Sequence, residues 1–440
     1  GVEISYEEEL RGIKGIKFIQ KDRFNRDVGS FKNGELDIIP IAGKDLTITI
    51  DSELQDYGEQ LMNGKKGGIV AIDPRNGEIL SLVSAPSYNP NLLIGRNRSE
   101  NYMELYRDSI YKPLIDKSLL NMHAPGSPFK ILVGLSALQE NVISEKTSIF
   151  CNNYYQYGRE KRTMQCHCGG GHRNLTNAIS LSCNSYFANA YRKTIDTKSP
   201  TKEAFNNWSN QMKSFGLGEY LNNDLSVGKK GIIPDFEFYN KWYPDFKWGA
   251  TTTLSNSIGQ GEVLVTPIQL ANMTAAIANK GYYYTPHIIK KIEGSEIDSK
   301  FKTKNYTLID STHFEPIIKG LSKVYKSGTA QFLQVPEIEI CGKTGTAENF
   351  TKINGKKTQL TDHSIFVAFA PKDNPTIAIS VLVENGYYGS RWAGRIASLM
   401  IEKYIKGEVT LKNMEQLVMN KSLDEEYQKP FLNKPFKINQ

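Results

Sequence analysis

Leu46, Ile48 and Ile50 alternate with polar neighbours, a spacing that sets one face of a strand against a core. The next stretch, "DSELQDYGEQLMNG", changes to helical spacing behind an aspartate cap and closes on glycine. "GGIVAIDPRNGEILSLVSAP" holds two short apolar runs around Pro-Arg-Asn-Gly, which predicts a hairpin in an antiparallel sheet. Helical spacing resumes at Phe129, Ile131, Leu132, Leu135 and Leu138, after a break at Pro125 and Gly126. "RNLTNAISLSCNSYFANAYRK" and "TPIQLANMTAAIANKG" read as two further helices. "EIEICGKTGTAE", "HSIFVAFAP" and "PTIAISVLVENG" read as three strands, and "RWAGRIASLMIEKYIKG" as a last helix. A helical block between strands predicts an α+β domain over 46–406, an antiparallel sheet flanked by helices with a helical subdomain. Residues 1–45 are charged and turn-rich, and 407–440 read as a polar tail.

Composition narrows this little. Charged residues at 23% and hydrophobic ones at 39% describe a folded globular chain of 440 residues. The net charge of +7 is dispersed, with no block of five or six like charges, which argues against a nucleic-acid partner. No apolar run reaches the 18 or so residues that span a bilayer, and "GVEISYEEEL" lacks the regions of a signal peptide. The start reads as mid-domain sequence, so a segment upstream of residue 1 is expected.

Candidate chemistry begins at Ser127-Pro128-Phe129-Lys130. A serine and lysine three apart share one helix face, and a serine at a helix start has its own N–H among the free donors of the first turn. That suits a nucleophile with a base beside it. The pattern also occurs at Ser109, Ser199, Ser226 and Ser299, but only Ser127 follows a Pro-Gly break and opens an apolar helix. A lysine base must be neutral, and a second lysine brought close would help to depress its pKa. Lys-(Ser/Thr)-Gly occurs at Lys326 and Lys343; Lys343 leaves a strand and is the expected partner, whereas Lys326 reads as a surface residue. Ser182 and Asn184, on the second helix, can pass a proton onward.

"PGSPFK", "SCN" and "GKTGTAE", in this order and spacing, resemble the penicillin-binding protein family, and the likeness covers roughly residues 45–406. It is nearest the class B, monofunctional, PBP2 (elongation) type. The resemblance implies a penicillin-binding/serine β-lactamase-like transpeptidase fold, with residues 1–45 the end of a non-catalytic pedestal domain. It implies a D,D-transpeptidase that cross-links peptidoglycan stem peptides ending in D-Ala-D-Ala and is acylated by β-lactams. Ser127 would be the nucleophile and Lys130 its base; Ser182, with Asn184 and Lys343, would carry the proton to the leaving D-Ala. Thr344, Gly345 and Thr346 would hold the terminal carboxylate, with the N–H groups of Ser127 and Thr346 as oxyanion hole. A membrane glycosyltransferase partner, an inner-membrane anchor upstream and a periplasmic catalytic domain follow from the same likeness. The same motifs serve D,D-carboxypeptidases, serine β-lactamases and β-lactam sensors, which differ in the fate of the acyl-enzyme.

"MQCHCGGGH" concentrates thiols and imidazoles near the Ser182 motif. Cys151, Cys166, His172 and Cys183, separated by 14, 5 and 10 residues, form a ligand set of the type that suits structural Zn2+, and disulfides are the competing reading. Some PBP2-type enzymes bind zinc beside the active site through a cysteine in the Ser-x-Asn motif and an upstream histidine. That resemblance favours zinc here, with Cys168 or His167 as alternatives to Cys166. Cys341 reads as a core residue.

Overall fold

The computed structural model describes residues 1–196, 201–243, 248–353 and 355–429. The predicted hairpin forms: β1 (Gly67–Ile72) pairs antiparallel with β2 (Ile79–Ala85). The three late strands join it as β3 (Cys341–Ile353), β4 (Lys356–Ala370) and β5 (Ile377–Val383), giving one antiparallel sheet in the order β3-β4-β5-β1-β2. All residues of β1 and β5 are buried, as continuous apolar runs at a sheet centre require.

Helices enclose this sheet. α1 (Ser52–Leu61) begins where the Asp51 side chain accepts the Leu54 N–H at 3.0 Å, the predicted cap. α2 (Lys130–Gln139) is buried from Lys130 to Leu138. The predicted second helix is broken into α3 (Leu175–Ser180) and α4 (Asn184–Asp196). α5 (Pro267–Ala278) is buried at every position and packs on β4, β5 and β1. α6 (Phe314–Ser327) lies along α3 and β3. α7 (Ala393–Lys406), ended by Gly407 in the left-handed region, packs with α1 on the face of the sheet opposite α5.

The chain after residue 406 is more than a polar tail. α8 (Lys412–Asn420) and α9 (Asp424–Gln428) return to the domain and bury Val418 and Tyr427. The Val418 carbonyl accepts from the buried Lys65 ammonium at 2.7 Å, and the Tyr427 hydroxyl takes the Lys66 N–H at 2.8 Å and donates to the Glu384 carbonyl at 3.1 Å. Residues 1–45 form two short helices and a small hairpin, Ile19–Lys21 with Asp27–Ser30. Tyr6 anchors them through a 2.8 Å hydrogen bond to Asp224. Among the described residues no helix is long and apolar enough to cross a membrane.

Candidate active site

Ser127 opens the single turn Ser127–Phe129, which runs directly into α2. Gly126 before it has a φ of 62°, and a Cβ there would lie 2.6 Å from the Thr346 carbonyl oxygen. Only glycine lets this turn press against β3. Pro128 and Phe129 are buried while Ser127 keeps partial exposure, so the nucleophile is fixed yet reachable.

Both predicted lysines are buried here. Lys130 Nζ donates to the Ser182 carbonyl at 2.8 Å, to Ser182 Oγ at 3.0 Å and to Asn184 Oδ1. Burial draws its pKa down to about 8. The influence expected of Lys343 on Lys130 runs the other way. Lys343 is held well below the usual lysine range, first by its own burial and then by the Lys130 charge.

Ser182 links Lys130 to Ser127. Its Oγ donates to Ser127 Oγ at 3.0 Å and accepts from Lys130, so one hydrogen-bonded chain joins base to nucleophile. Ser182 was expected within a helix; it lies in the break between α3 and α4 with a φ of 55°. A non-glycine residue in that region costs about 1–2 kcal/mol, and here it turns the hydroxyl onto Ser127. Asn184, the first residue of α4, donates its side-chain amide to the Gln165 carbonyl at 2.7 Å while its Oδ1 faces Lys130.

β3 is the wall opposite. Lys343 and Gly345 are buried, while Thr344 and Thr346 line a cleft of about 540 Å3 together with Ser127, Ser182 and Asn184. Gln260 Nε2 donates to the Thr346 carbonyl at 3.1 Å from the cleft side. In an antiparallel strand the N–H and C=O of one residue point the same way, so the Thr346 N–H also faces the cleft, near Ser127. Gln260, Thr329, Tyr388 and His167 line the cleft too and were not singled out for it in the sequence. Thr329 had a signal: it belongs to the "KSGTA" element set aside because Lys326 reads as a surface residue. Lys326 is indeed exposed and pairs with Glu339 at 2.8 Å, yet the chain turns inward three residues later.

The metal-ligand set differs from expectation at one position. Cys151, Cys166, Cys168 and Cys183 are all buried, with their sulfurs within 4.8 Å of one another. His172 is outside the cluster and exposed, its Nδ1 3.3 Å from Ser148 Oγ and its ring against Phe150. His167 faces the cleft, so Cys166 and Cys168 act together rather than as alternatives. The distances Cys166–Cys183 and Cys151–Cys168 are 3.7 and 3.6 Å. A tetrahedral ion with metal–sulfur bonds of about 2.3 Å sets its sulfurs about 3.8 Å apart, so the four thiols fit Zn2+. Cys166 Sγ also accepts the Asn184 N–H at 3.1 Å, which ties the cluster to a residue that faces Lys130. Cys341 is buried in the core beside Ile318, as expected.

A cleft of this kind has the groups needed to form and discharge an acyl-serine. The protein's family follows from the sequence: residues 67–402 match the model "Penicillin binding protein transpeptidase domain", and the chain belongs to that family. It is 34% identical over 402 residues to the peptidoglycan D,D-transpeptidase MrdA of Acinetobacter baumannii, covering 88% of this chain and 57% of that protein. The chain spans about three fifths of the length of the curated relatives it matches. Among solved structures, Pseudomonas aeruginosa PBP2 in complex with WCK 5153 aligns with a TM-score of 0.73 at 33% identity, over 85% of this chain and 79% of that one. Helicobacter pylori PBP2, in its complex with MreC, aligns with a TM-score of 0.75 at 27% identity, over 93% and 72%.

Proposed function

We propose that this chain is the catalytic part of a peptidoglycan D,D-transpeptidase of the elongation type. The observation that carries this is the chain Lys130–Ser182–Ser127, facing an edge strand that offers Thr344 and Thr346. A stem peptide lies along β3 with its terminal carboxylate at the two threonine hydroxyls. Ser127 Oγ attacks the penultimate D-Ala carbonyl as neutral Lys130 takes its proton through Ser182. The oxyanion is held by the N–H groups of Ser127 and Thr346. Ser182 returns a proton to the departing D-Ala amine, leaving an ester on Ser127. An amine from a neighbouring stem peptide discharges the ester and forms the cross-link. β-Lactams acylate the same serine.

Cys151, Cys166, Cys168 and Cys183 would hold Zn2+. With four thiolates the ion supplies structure and no open position for water. It would fasten the Gly169-Gly170-Gly171 loop to the turn that carries Ser182 and Asn184. An upstream membrane anchor, a periplasmic catalytic domain and partners in the elongation machinery, a glycosyltransferase among them, complete the reading. The PBP2–MreC complex supports the last of these.

Fluorescent penicillin tests the assignment. The wild-type protein should be labelled stably and Ser127→Ala not at all. Labelling that decays within minutes would make the protein a hydrolase, and labelling that survives Ser127→Ala would remove the nucleophile from the scheme.

A further inference from the structure

We propose that Thr329 is a positioning residue that makes the site selective for a terminal carboxylate on the acyl donor. This rests on the reading of the cleft given above and names a residue that the three motifs leave out. Thr329 Oγ1 lies 2.9 Å from Thr344 Oγ1, and both side chains line the cleft.

The backbone around Thr329 is pinned. Its N–H donates to the Ser180 carbonyl at 3.2 Å, and the N–H of buried Ala330 donates to the Val324 carbonyl at 3.1 Å. A Cβ at Gly328 would stand 2.4 Å from the same Ser180 oxygen, so the turn leaving α6 sits hard against the end of α3. The Thr329 hydroxyl is thus presented by two packed helices.

Each hydroxyl has one hydrogen, so only one of the pair can donate across the Oγ–Oγ contact. When Thr329 donates, it occupies one Thr344 lone pair and leaves the Thr344 hydrogen free to point into the cleft, which biases Thr344 toward donating there. Donation along such a chain also strengthens the outer bond. A carboxylate offers two charged acceptor oxygens to such donors, whereas a carboxamide or ester offers only a neutral carbonyl oxygen and gains less from them. Without Thr329, Thr344 turns freely and can accept as readily as donate, and the preference for the anion falls.

The test compares acylation of Ser127 by two donor pairs: a peptide ending in D-Ala-D-Ala against its C-terminal amide, and penicillin against its methyl ester. For Thr329→Val, kcat/KM with the free acids should fall about tenfold, mainly through KM, as expected for loss of support to a charge-assisted hydrogen bond. The amide and ester should change less than about twofold. Thr329→Ser should recover the free-acid rate. In a Thr344→Val background the same Thr329→Val change should have no further effect, the non-additivity of two groups acting as one. Equal losses on acid and blocked donors, or additive losses in the double variant, would overturn the proposal, and so would an unchanged free-acid rate. If Thr329→Val does not fold, Thr329→Ala takes its place in every comparison. A wild-type protein acylated by penicillin but by neither peptide would refute the transpeptidase reading alone, and the penicillin pair would still judge Thr329.

Discussion

Lys130 is fitted for the base's role proposed above because it is dry. Its ammonium donates to Ser182 and Asn184 oxygens, and burial outweighs the opposing pull of the nearby cysteines enough to bring the pKa to about 8. The neutral amine is the working form, so acylation by penicillin should rise with pH through about 8 and then level. Lys130→Arg, which stays protonated, should lose at least about a hundredfold in acylation rate at every pH. A flat profile for the wild-type protein would show that another group takes the proton. That Ser127, Lys130 and Lys343 would meet was readable from the motifs, because Ser127 and Lys130 open one helix and the Lys343 element leaves a strand. The direction of the influence between the lysines was not readable, since it depends on which ammonium is buried deeper. Nor was the left-handed Ser182, because nothing in "SLSCNS" forbids a continuous helix, yet the chain breaks there between α3 and α4.

At the scale of the element, the cysteine cluster shows how strand register decides which side chains gather. Ile149–Cys151 pairs with Gly171–Arg173, and in that register Phe150 stands opposite His172 while Cys151 stands opposite Gly171. Side chains alternate along a strand, so His172 shares the solvent face with exposed Phe150 and Cys151 turns inward. The ligand types could be read from composition, but the register that excludes the histidine could not. Purified His172→Ala should therefore retain the metal content of the wild-type protein, close to one zinc per chain by elemental analysis. Cys168→Ser should lose most of it and acylate more slowly, because the Cys166 contact to the Asn184 N–H is loosened with the cluster. Retained metal in Cys168→Ser with loss in His172→Ala would restore the ligand set first read from the sequence.

Across the whole molecule, a buried ionic knot joins the start of β1, the approach to Ser127 and the turn after β5. Lys66 and Glu384 pair at 2.9 Å, Asn121 donates to Glu384 at 2.7 Å, and His123 lies 3.9 Å from the same carboxylate and edge-on to His363. Burial, then the neighbouring His123, depresses His363 to about 3. Burial pushes Glu384 up, but Lys66 and the two histidines outweigh it and leave its pKa at about 2. Both folded values lie below the unfolded ones, so both contributions are present at neutral pH. The histidine contribution is lost as pH falls from about 6.5 toward 3 and the glutamate contribution below about 4.5, together on the order of a few kcal/mol. Urea midpoints should fall over that range, and less steeply for His363→Asn; identical slopes would exclude the knot as the cause. Little of this was visible beforehand, since the groups are far apart in sequence. The sheet, by contrast, was legible, because continuous apolar runs bounded by turn residues have few other uses. The C-terminal helices were hidden by polar composition, although Met414, Leu417 and Val418 already had helical spacing.

β3 ends the sheet, and an end strand is an open template for any extended chain, including one that aggregates. Here the surroundings are close on several sides: Gly126 lies against the Thr346 carbonyl, Gln260 already holds that oxygen, and a Cβ at Gly389 would stand 2.5 Å from the Gly345 carbonyl. These approaches narrow the space beside β3 around Gly345 and Thr346. The crowding that shapes the cleft thereby also leaves little of this edge open for a second copy of the chain to add a strand.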